Sequence, residues 1–445
     1  MTFGSLTFVC IFLPVFFLLY YMAGPRRKNF VLLIGSLCFY IPAVWEYPWQ
    51  LTLLLASLVT DFYLGLWIYR KPRSKNLLFA AGLLLHLAVL GGCKYALGIL
   101  PLGLSFYTFQ GISYLADVRR RKVYPEEDLV AFSAYYLCFA LITSGPITRY
   151  EQIRAQLHKR PALSREFGKG LETFVIGLGL KVLLANHVSR IWTGTAGIGY
   201  ESVSTALAWM AAYAYSFRIL FDFAGYSMMA IGIGQMLGLP IPQNFDRPYL
   251  SKTMTVFWRR WHMTLGAWFR DYVYIPLGGS RKGAFRTILN LAVVWLLTGI
   301  WHGSTLNFLL WGGVLFAVIF LEKFLYGRFL ERSHVLGHLY MLLLIPLSWS
   351  VFAITDLTEL ELFFTRLFPF FGMGPESPFP GDWMKYLNLY GLWLGLCVLF
   401  VTPLPKWIYD RLPRILKVPV LLAILGLSLY SLYLGAGDPF LYSTF

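Results

Sequence analysis

The sequence predicts an all-α protein that crosses a membrane many times, and three observations predict it. Of its 445 residues, 58% are hydrophobic and only 13% charged, and the mean hydropathy is +0.61. A soluble domain has no means of hiding that much apolar surface. Several apolar runs reach the roughly 20 residues needed to cross hydrocarbon. They are apolar all round rather than alternating, which points to helices and not to the strands of a barrel.

Fourteen segments carry this signal: 6–22, 30–45, 50–69, 77–97, 101–118, 129–147, 167–191, 203–223, 226–239, 288–302, 306–326, 338–354, 386–401 and 418–434. The first is followed by Gly-Pro-Arg-Arg-Lys, with no basic stretch before it and no cleavage-like end. It reads as an uncleaved helix with its N-terminus outside. The segment 226–239 is too short to cross comfortably, and its Gly232, Gly234 and Gly238 suit close helix packing. The stretch 356–385, rich in Pro, Phe and Gly, reads as the longest loop. No internal repeat of the kind built into many transporters is visible.

The net charge is +16, and its placement says more than its sum. Basic clusters at 26–28, 70–75, 119–122, 149–165, 258–282, 323–332 and 406–417 each abut an apolar run. That is the pattern of cytoplasmic loops beside anionic lipid, and no nucleic-acid partner is expected. One segment breaks the rule. Basic runs flank 129–147 on both sides, so a simple span would put one of them outside. Its Gly145–Pro146 break suits a re-entrant element, or else one basic run lies in a cavity. The five cysteines are scattered singly, with no C-x-x-C and no zinc-spaced Cys/His cluster, so no metal is expected.

The stretch 244–282 departs from the rest. Trp258, Trp261, Leu265 and Trp268 fall near helical spacing among arginines, with Ser251 as the expected cap. This predicts one amphipathic helix in the interface, aromatics at headgroup level and arginines toward water. His262 lies on it, able to orient a substrate or to snorkel beside Arg259 and Arg260.

Chemistry is expected at His302, in GIWHGSTLNFLLWG between two apolar runs. A neutral imidazole near membrane depth can take a proton from a hydroxyl, and Gly299 and Gly303 let other groups approach. A histidine bonded between helices is the plainer alternative. Arg218 and Asp222 stand at i, i+4 in an apolar segment and are expected to pair. There is no G-x-S-x-G elbow, Walker loop or H-E-x-x-H, and few acids lie in the apolar runs.

These residues bring a resemblance into view. The stretches FLPVFFLLYY, PLGLSFYTFQGISYLADV, SGPITRY, FDFAGYSMMAIGIGQMLG, NFDRPYLS, FWRRWHMTLGAWFRDYVYIPLGGSRKG, LLTGIWHGSTLNFLLWG and the terminal DPFLYSTF span nearly the whole chain. Together they resemble the membrane-bound O-acyltransferase family. The likeness is strongest to its bacterial alginate O-acetylation branch, with the D-alanyl transfer branch of teichoic acid modification as a cousin. FWRRWH with WHG is specific; WHG alone is weak.

The resemblance implies one integral-membrane domain over 1–445 with a catalytic core at about 100–330. It implies about eleven or more membrane helices, with re-entrant and interfacial ones, around a thin centre with a tunnel. It implies His302 as catalytic base and His262 as a supporting or donor-positioning histidine. Asp222, Asn244, Arg270, Asp271 and Tyr272 match recurrent motif positions, and Trp258, Trp301 and Asn307 complete the expected supporting set. It implies no bound cofactor. The co-substrate would be an acyl thioester, acetyl-CoA or an acyl carrier protein, reaching a bacterial inner membrane from the cytoplasm. The partners would be membrane lipids, an extracytoplasmic acetyltransferase or small membrane protein, and an exported glycan.

The chain departs from the family at T-L-G-A-W, where relatives often have S-L-S-T-W, so Gly266 removes a hydroxyl. It also lacks the proline-glutamine pair of the alginate branch before Gly145. PLGG and the context of WHGSTLNF favour acetyl transfer. D-alanyl transfer, a transporter or lipid flippase, and a scaffold for glycan export stay open as alternatives.

Overall fold

Inside hydrocarbon a peptide group finds no water, so each apolar run must satisfy its own backbone as a helix. The computed structural model describes residues 2–160, 164–371 and 379–435. Among the described residues every ordered element is helical. Nine helices there are long and apolar enough to cross a membrane: Trp49–Arg70, Lys75–Ala96, Glu166–Ile198, Thr205–Leu237, Ala284–His302, Leu306–Arg332, His334–Ala353, Asp382–Val401 and Arg414–Tyr433.

The fourteen apolar segments reduce to these nine for physical reasons. Segments 203–223 and 226–239 are one 33-residue helix, Thr205–Leu237. Asp222, near the join of the two segments, is paired with the Lys181 ammonium, so its charge does not interrupt the helix. Segments 6–22, 30–45, 101–118 and 129–147 give shorter helices. The loop expected over 356–385 contains the helix Leu357–Leu367, capped by the Asp356 carboxylate, which accepts from the Thr358 and Glu359 N–H groups at 2.8 and 3.0 Å. Residues 161–163 of the basic stretch 149–165, and the terminal DPFLYSTF, lie outside the described residues.

The described residues divide into two compact units, one within Met1–Leu178 and Tyr226–Gln243, the other within Gly179–Gly225 and Asn244–Leu441. In the first, Leu104–Arg119 is buried on every side from Leu104 to Val118, which explains its lack of a polar face. It packs against Trp49–Arg70 and Lys75–Gly91. A Cβ on its Gly111 would fall 2.2 Å from an Asp61 carboxylate oxygen and 2.5 Å from His86 Nε2, so only glycine lets these groups meet. His86 Nε2 lies 2.9 and 3.1 Å from the two Asp61 oxygens, and the Tyr136 hydroxyl donates to Oδ2 at 2.7 Å.

This unit also resolves the charge conflict at 129–147. Helix Leu129–Tyr136 stops at Leu137, a four-residue helix Phe139–Ile142 follows, and the chain turns back. Lys122 forms an ion pair with Glu151, and His158 bonds to Glu126 at 2.9 Å. The two basic runs therefore meet on one side, and the segment between them is re-entrant.

In the second unit, Ala284–His302 and Leu306–Leu321 form a tight antiparallel pair. A Cβ at Gly299 would come 2.6 Å from the Phe308 carbonyl oxygen, and one at Gly312 2.7 Å from that of Trp295. The glycines around His302 thus serve helix contact.

Candidate active site

All the residues singled out for chemistry lie in the second unit. His302 is the last residue of its helix and is 3% exposed. Edge-on contacts with Trp311 at 5.1 Å and Phe352 at 5.0 Å fix its ring, and Trp301 lies against it at 4.6 Å. Phe352 is held in turn by Asn307, whose amide donates to the Val351 and Phe352 carbonyls at 3.1 and 3.0 Å. Asn307 is fully buried and takes a 2.5 Å bond from Thr305. It acts as a brace behind the imidazole.

The single amphipathic helix expected from 251 onward is instead two short helices, Met254–Arg260 and Met263–Phe269. The break is His262 itself, in the left-handed region at φ 43°, ψ 53°. A non-glycine residue there carries steric strain, so the fold must hold it from elsewhere. Two backbone bonds do so: Asp246 N–H to the Arg260 carbonyl and Met263 N–H to the Asn244 carbonyl, both 2.9 Å. The cap is Thr253 rather than Ser251, accepting from Val256 N–H at 3.2 Å. The Glu322 carboxylate adds to it, accepting from the Met254 and Thr255 N–H groups at 2.6 and 2.7 Å. A negative group at a helix N-terminus is electrostatically favoured.

The interfacial reading of this stretch also fails. Trp261, Leu265 and Trp268 are buried inside the protein, and His262 is 3% exposed rather than snorkelling to water. The aromatics form one cluster, with Trp258 at 5.1 Å from Trp295 and 5.5 Å from Trp311, and Trp261 at 4.8 Å from Trp349. Because Trp311 touches His302 and Phe223 packs edge-on against His262 at 4.7 Å, the cluster joins the surroundings of both histidines.

Asn244 sets the protonation of His262. Its Oδ1 accepts from Thr264 N–H at 3.3 Å and from the Thr264 hydroxyl at 2.8 Å. A backbone N–H can only donate, so the Asn244 atom at this point is oxygen. The same oxygen lies 3.0 Å from His262 Nδ1, which must therefore carry the proton. The neutral ring then has its lone pair on Nε2. Burial pushes the His262 pKa down to about 3, so the ring is neutral across the physiological range.

Asp222 is buried and paired with Lys181, rather than with the Arg218 expected from helical spacing. Lys181 stands alone in the apolar run FVIGLGLKVLLAN, which marks it for a buried partner, and that partner is 41 residues away, beyond the reach of local spacing. Arg270 and Asp271 pair with each other at 2.7 Å at the start of the π-helical segment Arg270–Tyr274, and Tyr272 lies on Trp268 at 5.4 Å. Gly266 is exposed with open space around it, its nearest neighbour to a Cβ being the Trp258 carbonyl oxygen at 3.8 Å. The departure from S-L-S-T-W therefore leaves the histidines' contacts intact.

Comparison with known proteins bears on this arrangement. The profile of MBOAT, the membrane-bound O-acyltransferase family, matches residues 126–355. The probable alginate O-acetylase AlgI of Pseudomonas aeruginosa is 33% identical over 429 residues, 90% of this chain and 80% of its own length. The peptidoglycan O-acetyltransferase of Helicobacter pylori is 32% identical over 366 residues, 70% of this chain and 68% of its own. The teichoic acid D-alanyltransferase of Bacillus subtilis is 29% identical over 223 residues, 47% of this chain and 56% of its own.

Proposed function

The chain belongs to the membrane-bound O-acyltransferase family, and from that premise we propose that it transfers an acetyl group to a hydroxyl in the O-acetylation of an exported or cell-surface polysaccharide. It is a multi-pass membrane acyltransferase. Membership of an enzyme family removes the transporter and scaffold alternatives. Acetyl is favoured over D-alanyl because the O-acetylase match covers 90% of the chain against 47% for the D-alanyltransferase.

The observation that carries the mechanism is the pair of buried histidines, each with its ring fixed by its neighbours in one aromatic surround. His302 takes the proton of the acceptor hydroxyl as its oxygen attacks the thioester carbonyl. The carbon–sulfur bond breaks, and His302 returns the proton to the leaving thiolate. The products are an ester and a free thiol. His262, neutral with its lone pair on Nε2, accepts a hydrogen bond from the incoming group and orients it. Asn244 holds that ring, Asn307 braces Phe352 behind His302, and Trp301 and Trp258 belong to the aromatic surround of the histidines. Asp222, Arg270, Asp271 and Tyr272 brace the surrounding elements.

The donor in this reading is acetyl-CoA or an acylated carrier protein, arriving from the cytoplasmic side of a bacterial inner membrane. Donor and acceptor meet in a passage through the protein, which works as one domain with its catalytic core at about residues 100–330. An extracytoplasmic acetyltransferase or small membrane partner completes delivery to the glycan. The test is the ester content of exported polysaccharide with His302→Ala at equal membrane abundance. Esters should fall by about 100-fold or more, and the acid released from the native strain identifies the group as acetate or D-alanine. Unchanged esters would overturn the assignment of His302.

A further inference from the structure

The two basic runs that flank the re-entrant segment meet around an open cavity of about 440 Å³ in the first unit. Its walls include Lys122, Tyr124, Glu151, Arg154 and His158. Beneath it lies Glu126, a carboxylate only 4% exposed. One oxygen of Glu126 accepts from the N–H groups of Glu127 and Asp128 at 3.0 and 3.1 Å. The other takes the Tyr150 hydroxyl at 2.5 Å and His158 Nε2–H at 2.9 Å. Four donors thus occupy this carboxylate, and it holds His158 in place.

At the rim, Lys122 pairs with Glu151. Arg154 differs from both. No carboxylate among the described residues pairs with it, its Nε is buried with no acceptor, and its guanidinium lies 5.8 Å from the centre of the Tyr124 ring. A buried guanidinium N–H with no acceptor is costly, and a planar fork of donors suits two oxygens of one anion.

The level of the cavity fits a membrane surface. Lys122 lies three residues beyond the end of the helix Leu104–Arg119. Arg121 beside it donates to the Tyr69 carbonyl at 3.0 Å, and Glu127 pairs with Arg70 at 3.2 Å, both at the end of the spanning helix Trp49–Arg70. Leu129 and Val130 are exposed just beyond. Charged helix ends and exposed tyrosine mark the headgroup layer.

We propose that this cavity binds a phosphate group, held by Arg154 and Lys122 and flanked by Tyr124. The ligand is a phosphate ester, supplied either by an anionic phospholipid headgroup or by a soluble phosphate compound. Binding here does not depend on the acyl chemistry assigned to the second unit.

The full-length protein in detergent tests this by native mass spectrometry. The probes are phosphatidylglycerol, phosphatidylcholine and inorganic phosphate. The native chain should retain phosphatidylglycerol above phosphatidylcholine, and Arg154→Gln should weaken that retention about 10-fold, the loss of one charge-assisted contact. Glu151→Gln should strengthen it, because it releases Lys122 and removes the opposing charge. Lys406→Gln, an equal charge loss in the second unit, should change nothing. If inorganic phosphate binds with the same dependence on Arg154 while the lipid shows none, the source is soluble. Should Arg154→Gln fail to accumulate, Arg154→Lys keeps the charge without the fork and should weaken binding several-fold. The proposal is overturned if neither phosphatidylglycerol nor inorganic phosphate responds to Arg154, or if Lys406→Gln weakens binding as much.

Discussion

Two buried histidines, one in each unit, are held in different ways. His86 gives Nε2 to both oxygens of Asp61, and Tyr136 caps one of those oxygens. His262 gives Nδ1 to the Asn244 amide oxygen, which two donors from Thr264 also engage. The first imidazole is tied to a carboxylate inside a three-residue clasp that joins helices Trp49–Arg70, Lys75–Gly91 and Leu129–Tyr136. The second is tied to a neutral amide at a helix break. A carboxylate partner uses the ring as a structural counter-charge. An amide partner fixes the tautomer and leaves the neutral ring able to accept a proton or a hydrogen bond. Burial alone therefore does not separate the two rings; the partner does.

The sharpest way to break this comparison is to remove each clasp and read abundance apart from activity. Asp61→Asn leaves His86 and Tyr136 buried without their counter-charge, a change that costs about 3–5 kcal/mol when one partner of a buried pair is lost. The expected outcome is a lower melting temperature and less protein in the membrane, with ester formed per molecule unchanged. A large loss of activity per molecule at normal abundance would place this clasp in the chemistry after all.

A smaller effect is expected at Asn244. Asn244→Ala frees the His262 ring to rotate and to take the other tautomer, and acyl transfer per molecule should fall by about 10- to 100-fold, within the range of a lost orienting contact. Asn244→Asp makes the second site resemble the first. It places a carboxylate against Nδ1, raises the His262 pKa, and should give the rate a new acid limb. A pH profile that matches the native enzyme would show that Asn244 does not govern the ring.

Much of this was legible in the sequence, and what was missed shares one cause. The helical class followed from composition, and the re-entrant segment from basic runs on both its sides. His302 stood out because W-H-G interrupts two apolar runs. His86, in LLLHLAVL, interrupts one in the same way, but its partner Asp61 lies 25 residues earlier on another helix. Lys181 was passed over for the same reason, since local spacing offered Arg218 to Asp222. The break at His262 was hidden by good helical periodicity in WRRWHMTLGAW, with no glycine or proline at the turn. Local pattern finds elements, whereas pairing across helices decides what their polar residues do.

The smallest predicted effect concerns acid and isolates the neutral histidine from all other titrating groups. The folded pKa of His262 lies at about 3, below the roughly 6.5 of an unfolded chain. Below pH 6.5 the unfolded chain therefore gains a proton that the folded protein does not take up. The contribution to stability is intact above pH 6.5 and is lost progressively as the pH falls toward 3. Between pH 6.5 and 5.5 the loss from this one ring is about 1 kcal/mol. Other carboxylates and histidines titrate over the same range, so the quantity to measure is a difference. Thermal melts of the native chain and of His262→Gln, each followed from pH 7 to 5, should converge as the pH falls, because the variant has no imidazole to protonate when it unfolds. Parallel curves would mean that the ring takes up its proton in the folded state and that the amide at Asn244 does not keep it neutral.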